Sequence, residues 1–185
     1  MSFTPWMAAL AAASALGAMA QTRSSDSLAP QNQGIVTAEA QRPNAAASRD
    51  IDFLTDALRT ALAEARMGEL AAERGGDARV REFGATLQRD YARHADEIRR
   101  QLEPLNVTIP GEPSAEALSH HAALARLSAE ELDAAFVQMM IWTLTEAIEK
   151  YGAQTHANPN RELSNFASTS LPMLREHLAA AQALR

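Results

Sequence analysis

Four long stretches of this chain carry apolar residues at steps of three and four, and the breaks between them are unequal in length. That spacing places the apolar side chains on one face of a helix, a face that must be buried against other helices. In the second stretch the face reads Val80, Phe83, Leu87, Tyr91, His94, Ile98 and Leu102. In the first it reads Leu54, Ala57, Ala61, Glu64, Gly68 and Ala71. The third gives Leu132, Phe136, Met139 or Met140, Thr143 and Glu146. The fourth gives Leu163, Phe166, Ser170, Leu174, His177, Ala181 and Leu184.

The punctuation sets the connections. Ser48 or Asp50 is placed to cap the first helix, which runs to about Arg74 and stops at Gly75-Gly76. Asp77 caps the second helix, which Pro104 ends beyond Leu102. Ser128-Ala129-Glu130-Glu131 is a capping box that opens the third helix, running to about Thr155 before Asn158-Pro159. The fourth helix runs from about Asn160 to Leu184, with Pro172 inside it predicting a kink near Ser168. Links one-to-two and three-to-four are tight, so each pair forms an antiparallel hairpin. The middle link holds Asn106 to Pro113 and a short amphipathic piece over 114–127, long enough to cross a bundle end to end. Two hairpins joined by one long crossover make an all-α, ferritin-like four-helix bundle, here over residues 49–185.

Upstream the character changes. Residues 1–20 hold no charged side chain and end Ala18-Met19-Ala20, a small-x-small cleavage pattern. The run from Trp6 to Ala20 is too short for a bilayer span, so it reads as a signal peptide, although no Lys or Arg precedes it. Residues 21–48, rich in Ser, Gln, Asn, Ala and Pro, read as a flexible spacer. Export to the periplasm or beyond the cell envelope follows, with no transmembrane span after cleavage.

Composition narrows the function classes. Hydrophobic residues at 46% suffice for a core, while aromatics at only 5% and abundant alanine favour helix over sheet. A net charge of -6 speaks against nucleic acid, whose phosphates need a basic face. Lys150 is the only lysine. The absence of cysteine removes disulfides, thiolate metal sites and a cysteine nucleophile. Phosphate loops, G-x-S-x-G and H-E-x-x-H are absent as well. The run AAFVQMMIWTL over Ala134–Leu144 is apolar almost all round, which implies either the most buried helix or a homodimer face on the third helix. Its methionines read as core filler.

Glu64, His94, Glu146 and His177 come from four different helices, and Asp90 precedes His94 by one turn. Carboxylates and imidazoles converging at mid-bundle hold di-iron or di-manganese centres, so these five are the candidate ligands for iron, manganese or zinc. The full signature requires Glu-x-x-His on two helices, and none of the four carries it. The incomplete pattern favours no resident metal, with inward histidines hydrogen-bonded in the core and Glu64 paired with an arginine such as Arg93. His120 and His121 read as solvated, and His156 as a cation at a helix C-terminus.

The chain resembles the exported bacterial family known as domain of unknown function 4142, ferritin-like in fold, from about Asp50 to Leu184. The resemblance rests on FLTDALRTALAEARMGELAAER, VREFGATLQRDYARHADEI and, most specifically, LSNFASTSLPMLREHLAAAQAL. Glu64 and His177 match the family pattern. Two positions depart from it: Asp90-Tyr91 stands where members have Asp-His, and Thr143-Leu144-Thr145 where they have Asp-His-Glu. The resemblance thus implies a site depleted of two imidazoles, and lost to metal unless His94 and Glu146 substitute one turn away. The leading expectation is a non-catalytic envelope bundle with a structural, stress-related or binding role. A metal-binding relative and a small-ligand carrier, with the crossover covering a cavity, are the alternatives.

Overall fold

The computed structural model describes residues 34–185. Among the described residues there are five α-helices and no strand: α1 (Gly34–Arg74), α2 (Ala78–Leu102), α3 (Ala115–Leu124), α4 (Ala129–Ala157) and α5 (Arg161–Gln182). A single 3-10 turn, Glu103–Leu105, follows α2. The expected third and fourth helices are therefore α4 and α5, and α3 is the amphipathic piece of the crossover. None of the helices is long and apolar enough to cross a membrane.

The caps explain the boundaries. The Asp77 carboxylate accepts from the Arg79 amide, Ser128 and Glu131 form the reciprocal capping box, and Asn160 accepts from the amides of Glu162 and Leu163. Each satisfies amides that the first helical turn leaves without a partner. Helix α5 passes unbroken through Pro172, whose ring faces solvent. At the end of the 3-10 turn Asn106 adopts a left-handed conformation (φ 53°), which asparagine tolerates better than most residues.

The start of α1 differs from expectation. The expected leader, residues 1–20, lies outside the described residues, as does the spacer up to residue 33. From Gly34, however, the chain is already helical, so the second half of the expected spacer is part of α1. Ala, Glu, Gln and Arg make up most of 38–47 and favour helix, and Pro43 among them withholds one amide from α1 without ending it, while no apolar stripe marks a buried face. Asp50 consequently caps nothing. It lies within α1 and accepts from Asn158 Nδ2 at 2.8 Å and Asn160 Nδ2 at 3.0 Å, in the turn between α4 and α5.

A matching contact closes the opposite end. The Asp133 carboxylate in the first turns of α4 accepts from the Gly76 amide at 3.0 Å and the Asp77 amide at 2.7 Å, in the turn between α1 and α2. The two ties fix the directions: α4 starts where α1 ends and runs antiparallel to it, and α5 returns parallel to α1. The crossover must then travel the length of the bundle. It leaves α2 beside Asn160 and Leu163. On the way Glu112 pairs with Arg66 of α1. Before α4 begins, the Arg74 guanidinium donates to the carbonyls of Ala125 and Leu127. This is the hairpin-crossover-hairpin connectivity expected from the link lengths.

The apolar stripes face inward, with Leu58, Leu87, Ile98, Phe136, Met140 and Leu174 fully buried. Helices α1 and α2 approach most closely at Gly68 and Gly84. A Cβ added to either glycine would stand 2.6 Å from the other's carbonyl oxygen, so the two backbones meet with no room for a side chain. Gly75 is required for a similar reason: a Cβ there would stand 2.7 Å from the Ala71 carbonyl and 3.0 Å from the Asp133 carboxylate. The helix pairs α1–α2 and α4–α5 are intimate, whereas α1 and α4 approach each other sparingly.

Candidate functional site

Polar groups enter the core at four points. Glu64 of α1 is 4% exposed, His94 of α2 3%, and Ser170 and His177 of α5 are buried as well. Glu64 and His177 are carried inward by the stripes that predicted them. Ser170 is satisfied by the Phe166 carbonyl one turn back, at 2.9 Å.

Burial dominates Glu64. Removal from water pushes its carboxyl up from 4.5 to about 7, partly offset by a hydrogen bond from the Thr143 hydroxyl of α4. Its second oxygen, Oε2, has no partner. The expected pairing with Arg93 does not form: Arg93 lies on the solvent side of α2 and donates to Asp90 at 2.6 Å.

His177 and Asp90 meet directly, with Nε2 and Oδ2 3.1 Å apart, so the imidazole carries its proton on Nε2 and donates to the carboxylate. Burial raises the Asp90 carboxyl, but donation from His177 and Arg89 outweighs it and holds the group below its ordinary value. His177 Nδ1 is left buried without a partner. His94 is engaged elsewhere. Its Nε2 lies 2.8 Å from the Tyr151 hydroxyl, its ring stacks on Phe166 at 5.5 Å, and Nδ1 faces the Glu97 carboxylate at 3.7 Å. Burial lowers the imidazole's pKa, with Glu97 opposing, which keeps the ring neutral so that the Tyr151 O–H donates to Nε2. Tyr91 lies between the two histidines, 5.6 Å from the His177 ring and 6.4 Å from that of His94.

Glu146 departs from the expected convergence. It is exposed, because the inward stripe of α4 passes through Met140, Leu144 and Tyr151 and turns residue 146 toward solvent. The structure thus joins Asp90 to His177, places Glu64 against Thr143, gives His94 to Tyr151 and leaves Glu146 at the surface. Among the described residues no three His, Asp or Glu side chains gather as metal ligands.

Because α1 and α4 stand apart, a cleft of about 150 Å³ opens between them. Phe53, Asp56, Ala57 and Thr60 of α1 form one wall; Trp142, Thr143, Glu146, Ala147, Lys150 and Tyr151 of α4 form the other. Tyr91 and His94 of α2 and Leu174 of α5 close the base. At the mouth Lys150 pairs with Asp56 at 3.2 Å. Trp142 is 61% exposed, so the apolar run over Ala134–Leu144 is not buried on all sides. No crossover residue lines this cleft, so the crossover is not its lid. Reading the sequence for inward stripes missed the cleft, since its rim residues fall beside the stripes. The signal that marks it is a tryptophan on a helix face otherwise occupied by Gln138, Thr145 and Glu149.

No curated protein and no solved structure matches the chain. Residues 36–184 match the family described as "Domain of unknown function (DUF4142)". That match begins within the stretch expected to be spacer and takes in α2 to α5 and all but the first two residues of α1, and the chain belongs to this family.

Proposed function

We propose that this protein is a non-catalytic binding bundle of the cell envelope, exported by its leader, and that it holds a small ligand in the cleft between α1 and α4. The observation that carries this reading is the cleft itself. Its lining is mostly apolar, with Tyr91 and His94 at its base, charged groups at its mouth and an exposed tryptophan at its rim. Small-molecule sites are concave, mostly apolar and supplied with a few placed polar groups, and they form between helices of bundles. A cavity near 150 Å³ lined by apolar side chains accommodates a single-ring or similarly compact molecule. The polar core favours binding over catalysis: His94 Nε2 and His177 Nε2 are engaged by Tyr151 and Asp90, and the side chain between the two rings is Tyr91, whose hydroxyl burial holds well above its ordinary pKa.

The test uses the full chain with Trp6→Phe, so that Trp142 alone reports. Compact solutes of differing charge are titrated while its emission is followed. A saturable change is expected for at least one of them. It should disappear in Ala147→Phe, which fills the cleft from a half-buried position on its α4 wall. No saturable change with any solute, or an unchanged response in Ala147→Phe, would remove the cleft as a binding site. Recovery of the tagged chain in the periplasmic fraction, shortened by its leader, is the expected result for export; full-length chain in the cytoplasm would contradict it.

A further inference from the structure

Aromatic side chains are scarce in this sequence, yet both of its tyrosines, one of its two tryptophans and Phe53 line the same cleft. Phe53 and Tyr151 meet edge to face at 5.1 Å, and Tyr91 lies at the base. Aromatic faces carry negative quadrupole density and attract cations within about 6 Å of the ring, Trp most strongly. Apolar burial alone would be served by leucine, which this chain uses freely.

The charges lining the cleft are net negative. Asp56 and Glu146 stand at the mouth. The one cation that lines it, Lys150, pairs with Asp56, which leaves the charge of Glu146 in excess. His94, the imidazole at the base, is kept uncharged by its burial and does not oppose a positive ligand. An anion would enter against this field, and the net charge of -6 on the whole chain adds to its exclusion.

We propose that the cleft binds a compact organic cation, a quaternary or alkyl ammonium group held against Trp142, Phe53 and the two tyrosines, with Glu146 as its counter-charge and Asp56 neutralising Lys150 beside it. The proposal rests on the cleft being a ligand site and names the chemistry it selects. The ammonium group reaches the rings, while any polar tail remains at the mouth.

Choline, tetramethylammonium and 3,3-dimethyl-1-butanol, the uncharged carbon isostere of choline, are the probes. They are titrated at matched ionic strength into the full chain carrying Trp6→Phe, with calorimetry beside Trp142 emission. Choline and tetramethylammonium should bind saturably, and the isostere about tenfold more weakly or less, in line with desolvated cation–π pairing. Glu146→Gln and Asp56→Asn, both at exposed positions, should each weaken choline by roughly threefold to tenfold while leaving the isostere unchanged. An isostere that binds as tightly as choline, or charge variants without effect, would overturn the cation assignment and leave the small-ligand reading standing. If neither isostere nor cations bind, both fall. Sedimentation with phosphatidylcholine vesicles separates a lipid headgroup from a free solute: pelleting that the two charge variants abolish assigns the headgroup, and its absence beside choline binding assigns the solute.

Discussion

Burial changes the chemistry of Glu64 in the pH range where its charge would otherwise be fixed. Its carboxyl is neutral over a range where an unfolded chain would carry the charge, because its surroundings offer one hydroxyl donor and little water. The folded state therefore binds more protons than the unfolded one between 4.5 and about 7, and stability contributed by this group falls as pH rises through that window. Glu64→Gln, which keeps the shape without the charge, should remove that slope. Its unfolding free energy should gain on the parent's across the window, by an amount on the order of 3 kcal/mol once the carboxylate is fully ionised. A gap between the two proteins that stays constant from below 4.5 to above 7 would show that burial leaves the Glu64 carboxyl at its unfolded pKa. The inward positions of Glu64, His94 and His177 were legible because each lies on a regular stripe of its own helix. Their partners were not legible. Whether His94 meets Tyr151 or a metal depends on the rotation and offset of α2 against α4, which no single helix encodes.

At the scale of elements, the crossing of α1 and α2 is set by the absence of side chains. Gly68 and Gly84 bring two backbones together, and a methyl group at either would press on a carbonyl oxygen that belongs to a helix and cannot step aside. Gly84→Ala gains up to about 1 kcal/mol of helix propensity but must separate the helices. Overpacking of this kind costs about 1–3 kcal/mol, so net destabilisation is expected in urea unfolding, and Gly84→Val should be worse. A more stable Gly84→Ala protein would mean that the helices slide apart freely there. Helix boundaries other than the first were readable from caps and breakers, because Asp77, Ser128 and Asn160 act within their own turn. The start of α1 was not, since its upstream extension has no stripe to announce it and carries Pro43, which reads as a breaker.

Over the whole molecule, each tight turn is held by a carboxylate of the opposite hairpin: Asp133 on the α1–α2 turn, Asp50 on the α4–α5 turn. The ties lie at opposite ends of the bundle and share no partner. Asp133→Ala strips two backbone amides of their acceptor and should cost about 1–3 kcal/mol, and Asp50→Ala, which frees only side-chain amides, about 1 kcal/mol. Calorimetric unfolding of the double variant should give close to the sum of the two. A double variant far less stable than that sum would show that the ends communicate. Connectivity was legible from link lengths, because a tight turn and a chain long enough to span a bundle leave different signatures. The opening between α1 and α4 was not, since the gap belongs to two surfaces separated in sequence by α2 and the crossover. Lys150 sits at the edge of that opening, more than half exposed, and no other residue of the sequence has a side-chain amine. Apart from the chain's α-amino group, an amine-directed acylating dye or crosslinker has one place to react on this protein. Whatever enters the gap would then shield, or itself be tethered by, a uniquely addressable position beside it.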